Sequence, residues 1–225
     1  MLSPAAIKKP GLDAVHCVRP KLLAAGIGAA IAAICVAGVL LGHERDVAVF
    51  ALLEEWTLTP LFTTFLLGVA AGLALAARRT GAPMVWLAIG GFLLVMAGDE
   101  LFSVHESVRQ RLPGGRASYV IFLPYVALGA YIWIQVLRRL RGHRSAAALW
   151  VGGAALWGAS QLLDAIAMLG EGASPNALPP IQVTEEVFEM AGSALFLLAL
   201  LVFLQRVLEP SVPRPAGLVP RTREQ

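Results

Sequence analysis

MVWLAIGGFLLVMAGDELFSVHESVR, residues 84–109, runs fifteen residues without a charge and then places Asp99, Glu100, His105 and Glu106 within eight positions. A soluble amphipathic helix spreads its polar residues along one whole side. Here they are held back to one end, as in a helix that crosses hydrocarbon and carries its polar chemistry near one membrane face.

The rest of the chain repeats the apolar half of this pattern. Its 225 residues are 57% hydrophobic and only 15% charged, with a mean hydropathy of +0.71. Such a composition excludes an ordinary soluble domain. Each crossing needs about 20 apolar residues. Candidate spans lie at 22–42, 58–77, 84–108, 118–137, 146–169 and 184–208. The expected fold class is therefore all-α, a polytopic membrane bundle of six transmembrane helices with both termini on one side. Residues 1–21 are expected as a polar tail, 22–208 as the transmembrane domain and 209–225 as a disordered tail rich in proline. Thr59-Pro60 opens the second span with a cap residue and an N-terminal proline, and Pro124 predicts a kink in the fourth. Small residues at interfacial spacing, including Gly68 with Gly72 and Gly152-Gly153 with Gly158, predict close helix crossings. Cys17 and Cys35 have neither metal-site nor disulfide spacing.

Charge sets the expected orientation. Fourteen of the eighteen Lys and Arg residues fall on the side of the two tails and the loops after spans two and four. By the positive-inside rule that side is cytoplasmic, and the expected location is the bacterial inner membrane. Twelve of the fifteen acids then fall in the outer half or the external loops. Acids in exposed loops need no special explanation, but an acid inside a span costs about 2.5–3.5 kcal/mol near the helix centre and usually faces the bundle interior. Asp99, Asp164 and Glu189 are the clearest cases. Continuous helical spacing puts Asp99, Ser103, Glu106 and Gln110 on one stripe, and Gln182, Glu186, Glu189 and Ser193 on another. The third and sixth spans are expected to bring these stripes face to face.

Grouped carboxylates beside an imidazole suit a divalent cation. The expected ligands are Asp99, His105, Glu106, Asp164, Glu186 and Glu189. Glu100, to one side of the stripe, is the expected general base if a bound metal activates water for hydrolysis of a lipid or other membrane-embedded substrate. His43 and an apolar external segment at 47–53, followed by Trp56, lie close enough in sequence to add a ligand and a lid. Three readings stay open: a cation-dependent hydrolase, a cation- or proton-coupled transporter, and a structural or assembly subunit whose acidic face recruits a basic periplasmic partner; without a metal, the carboxyls are expected to hydrogen-bond the helices together. The lipid bilayer is the expected environment. Nucleic-acid binding is disfavoured, because the basic residues are spread as topology signals without a recognition motif.

The pattern Asp99-Glu100, His105-Glu106 and Glu185-Glu186-x-x-Glu189-Met190-Ala191-Gly192 resembles a group of uncharacterised multi-span bacterial membrane proteins. That resemblance covers spans three to six and implies a six-helix architecture without an activity. Alkaline-ceramidase-like hydrolases and CAAX-processing proteases share some of the chemistry. The chain lacks the paired His-x-x-x-His of the former, and Met190 stands where the latter require arginine.

Overall fold

The computed structural model describes residues 18–41, 58–104, 116–169 and 178–208. Six helices cover almost all of them: α1 (Pro20–Leu41), α2 (Leu58–Ala77), α3 (Pro83–Phe102), α4 (Arg116–Leu140), α5 (Arg144–Leu169) and α6 (Leu178–Leu208). One 3-10 turn, Arg78–Thr80, joins α2 to α3, and no strand occurs among the described residues. Among the described residues, five of the helices, α1, α2, α3, α5 and α6, contain a stretch long and apolar enough to cross a membrane. Many large apolar side chains point outward, among them Leu61, Phe65, Leu94, Val95, Val126, Leu128 and Leu162. Soluble monomers do not sustain such a surface. The protein is an all-helical membrane protein.

Helix ends follow local chemistry. Pro179 and Pro180 fall in the first turn of α6, where backbone N–H groups have no helical acceptor to lose, so the helix starts six residues earlier than hydropathy suggests. Pro83 likewise starts α3 behind Gly81 and Ala82, both with positive φ. The other end of α3 corrects the sequence reading. Ser103 turns left-handed, with φ 45°, and donates its N–H to the Asp99 carbonyl, so the helix closes at Phe102 instead of continuing to 108. α4 carries on through Pro124.

α6 is the central helix. It packs along α5 and α2 and also touches α1, whereas α2 is hairpinned to α3, and α4 leans on α3 and α5. Most residues from Met190 to Leu204 are buried. The tightest crossing lies between α5 and α6. A Cβ on Gly153 would sit 2.9 Å from the Gly192 carbonyl oxygen, and one on Gly192 would sit 3.0 Å from the Gly153 carbonyl oxygen and 2.5 Å from the Trp157 ring. These distances leave space for hydrogen alone. Gly158, Gly68 and Gly72 have nothing comparable within 4 Å. The small-residue stripes therefore divide into one that is used and others that face open space.

The helix directions separate the charges. At one end, Gln205 donates to the Val18 carbonyl, Arg206 donates to Ser145, and Phe203 meets both Trp86 and His143. The start of α1, the α2–α3 turn, the α4–α5 turn and the end of α6 thus share one face, with Arg19, Lys21, Arg78, Arg79, Arg138, Arg139, Arg141, Arg144 and Arg206 around it. Asp99, Glu100, Asp164, Glu185, Glu186 and Glu189 lie on helix segments toward the opposite end.

Gly192→Ala should lower stability by about 1–3 kcal/mol, the usual cost of overpacking, because the obstruction includes backbone. Gly158→Ala should be neutral or gain about 0.5–1 kcal/mol from helix propensity. Thermal melts in detergent compare the two; equal effects would remove the Gly153–Gly192 crossing as the fixed point of the bundle.

Candidate functional site

One turn beyond the glycine crossing, the α5–α6 seam becomes polar. Trp157 lies against Gly192 and donates its indole N–H to the Ser193 hydroxyl at 3.1 Å. Ser160, fully buried, donates its hydroxyl to the Trp157 carbonyl at 2.8 Å and is also within hydrogen-bond reach of the Glu189 carboxyl. Gln161 donates from Nε2 to Glu189 Oε1 at 3.5 Å, a long bond. Helical spacing explains the grouping, since Trp157, Gln161 and Asp164 fall on one side of α5, as Glu186, Glu189 and Ser193 do on α6.

Glu189 is the centre of this group. It is 7% exposed, and the charged side chains near enough to act on it among the described residues are all acids: Glu186, Glu185 and Asp164. A carboxyl enclosed in a membrane helix among like charges is retained against a considerable energetic cost. Its stripe on α6 is graded. Gln182 is exposed, Glu186 is half-buried, and Glu189 and Ser193 are buried. The polar line therefore runs from the acidic end of the bundle inward and stops at the seam.

The other expected site residues are distributed differently. Asp164, Glu186 and Glu189 come together. Asp99 and Glu100 sit on the last turn of α3, where Thr64 of α2 donates to the Ala97 carbonyl at 3.2 Å. His105, Glu106, Gln110, His43, Trp56 and the 47–53 segment lie outside the described residues. Among the described residues, no three of His, Cys, Asp and Glu are grouped so as to hold a metal.

The stripe on α6 meets α5, while α2 packs against both α3 and α6. This differs from the expected pairing of the third and sixth spans. The reversal at Ser103 also breaks the even spacing on which the Asp99, Ser103, Glu106 and Gln110 stripe depended. Trp157 and Ser160 were not singled out from sequence. Their signal was present as polar residues one turn apart leading to Gln161 and Asp164.

The model of a domain of unknown function, DUF8692, matches residues 22–204. The chain belongs to the DUF8692 family. The match spans the Gly153–Gly192 crossing and every side chain around Glu189. No curated protein and no solved structure matches the chain.

Trp157→Phe keeps the ring against Gly192 but removes the donor to Ser193. It should cost about 0.6–1.7 kcal/mol, the range measured for hydrogen bonds between membrane helices, in a thermal melt or unfolding titration. A variant as stable as the parent would mean that this bond contributes nothing to the α5–α6 seam.

Proposed function

We propose that this DUF8692 protein is a six-span protein of the bacterial cytoplasmic membrane, with both termini cytoplasmic and an outward-facing cation site centred on Glu189. The observation that carries the site is the enclosure of Glu189 among acids, with a polar stripe leading to it from the acidic end of the bundle. A cation supplies the positive charge that none of the described side chains acting on Glu189 carries. Buried ionisable groups of this kind mark ion pathways and binding sites in membranes. The sixth crossing is α4, and the collection of basic residues at the opposite end supports the orientation.

The graded exposure along α6 favours a second reading, a cation- or proton-coupled transporter in which Glu189 is the inner station of an entry path. Uptake into proteoliposomes that scales with an imposed ion gradient and disappears in Glu189→Gln would select it over a static binding site.

Melting of the detergent-purified protein, with chelator and then with sodium, magnesium, calcium, manganese or zinc, tests the cation site. A cation that binds the folded state raises the melting temperature through linkage. Glu189→Gln should lose that rise while keeping most of the side chain's shape. Equal melting of the parent in every condition would sink the reading.

Orientation has its own test. In a background without Cys17 and Cys35, Gly114→Cys should react with an impermeant thiol reagent in intact cells and Arg141→Cys should not. The reverse labelling would turn the site toward the cytoplasm.

A further inference from the structure

The hydroxyl of Thr63 is fully buried in α2 and has no hydrogen-bond partner among the described residues. Threonine in a helix commonly returns its hydroxyl to a carbonyl one turn back, and this one does not. Buried polar groups are rarely left in that state without a role.

Two considerations point from Thr63 toward the Glu189 site. The first is direction. The α3 side of α2 is marked by Thr64, which bonds to Ala97, and by Leu75 and Ala71, which crowd Gly90. Thr63 lies about 100° around the helix from the middle of that face. It shares its side with the buried residues Thr59, Leu66, Ala70 and Ala77, and the other long helix packed on α2 is α6. The second is depth. α2 and α6 both end at the basic face, where Trp86, just after the α2–α3 turn, meets Phe203. Thr63 is fourteen residues back from Ala77, and Glu189 is fourteen back from Phe203. At 1.5 Å per residue both are about 21 Å from that level.

We propose that Thr63 completes a three-helix cation site with Ser160, Glu189 and Ser193, and that its ligand is a monovalent cation the size of sodium. This rests on the cation reading of Glu189 and adds the third wall and the class of ion. The donors are hard oxygens. Ser160 hydrogen-bonds to the Trp157 carbonyl and lies within reach of the Glu189 carboxyl, Ser193 accepts the Trp157 N–H, and each hydroxyl oxygen keeps a lone pair. When ionised, Glu189 gives this set of neutral hydroxyls one negative charge, which a monovalent ion neutralises. Magnesium would need more carboxylate or retained water than this enclosed set provides.

The test uses the full chain in detergent at fixed pH, with choline chloride replaced stepwise by sodium chloride, potassium chloride or, at matched ionic strength, magnesium chloride. Sodium should raise the parent's melting temperature by about 5 °C at saturation. Thr63→Val should shift the midpoint of the sodium titration about tenfold higher. In sodium-free buffer it should melt at or above the parent, because it removes an unsatisfied hydroxyl at nearly constant shape. Thr63→Ser should restore the parental midpoint, and Thr63→Ala provides the same comparison should the valine variant fail to fold. A parental sodium midpoint in Thr63→Val or Thr63→Ala overturns the role of Thr63, and a rise with magnesium but not sodium overturns the ion class; the cation reading of Glu189 survives either result. No response of the parent to any cation overturns both.

Discussion

The contact between Gly153 and Gly192 sets where the polar side chains of the α5–α6 seam can be. Two helix backbones touch there, with each glycine hydrogen facing the other's carbonyl oxygen. In lipid, apolar burial alone does little to bring helices together, so close packing and a few interhelical hydrogen bonds must do it. The crossing supplies the packing, and Trp157, wedged against Gly192 with its N–H on Ser193, supplies the adjacent bond. Glu189 is held at the next level of the same seam. A wider separation of α5 and α6 would leave Gln161 and Ser160 too far from the carboxylate to enclose it.

The seam also explains why an acid is tolerated at this depth. Gln161 donates to the Glu189 carboxyl, and the Ser160 hydroxyl lies within hydrogen-bond reach of it as well as of the Trp157 carbonyl. These neighbours give the carboxyl polar solvation, and the charged side chains acting on it among the described residues are acids. Packing alone would be served as well by leucine. The carboxyl is kept enclosed, at the inner end of a stripe that reaches the surface at Gln182, and the proposed cation site rests on that enclosure.

The sequence and the structure diverge most at α3. The Asp99, Ser103, Glu106 and Gln110 spacing assumed a continuous helix, and Ser103 ends it with a left-handed residue. Serine there gives no strong local signal, unlike the glycine that commonly fills such a position. The starts of α3 and α6 were legible once proline was treated as a first-turn residue, because Pro83, Pro179 and Pro180 all occupy that place.

Composition and periodicity by themselves determined that the protein is helical, that it belongs in a membrane, that its bases and acids separate along the bundle, and that Glu189 shares a stripe with Glu186 and Ser193. These properties depend on hydrocarbon thickness and on 3.6 residues per turn, both local to one helix. Which helix faces that stripe was decided only by the tertiary structure. The sequence offered several small-residue patches and two acidic ones, and nothing within a single helix ranks them. Gly153 rather than Gly68 or Gly72 became the crossing because only there do a glycine on the partner, a tryptophan to cover it and a serine to receive its N–H coincide. That three-way fit between two helices put α5, with Ser160 and Gln161, against Glu189.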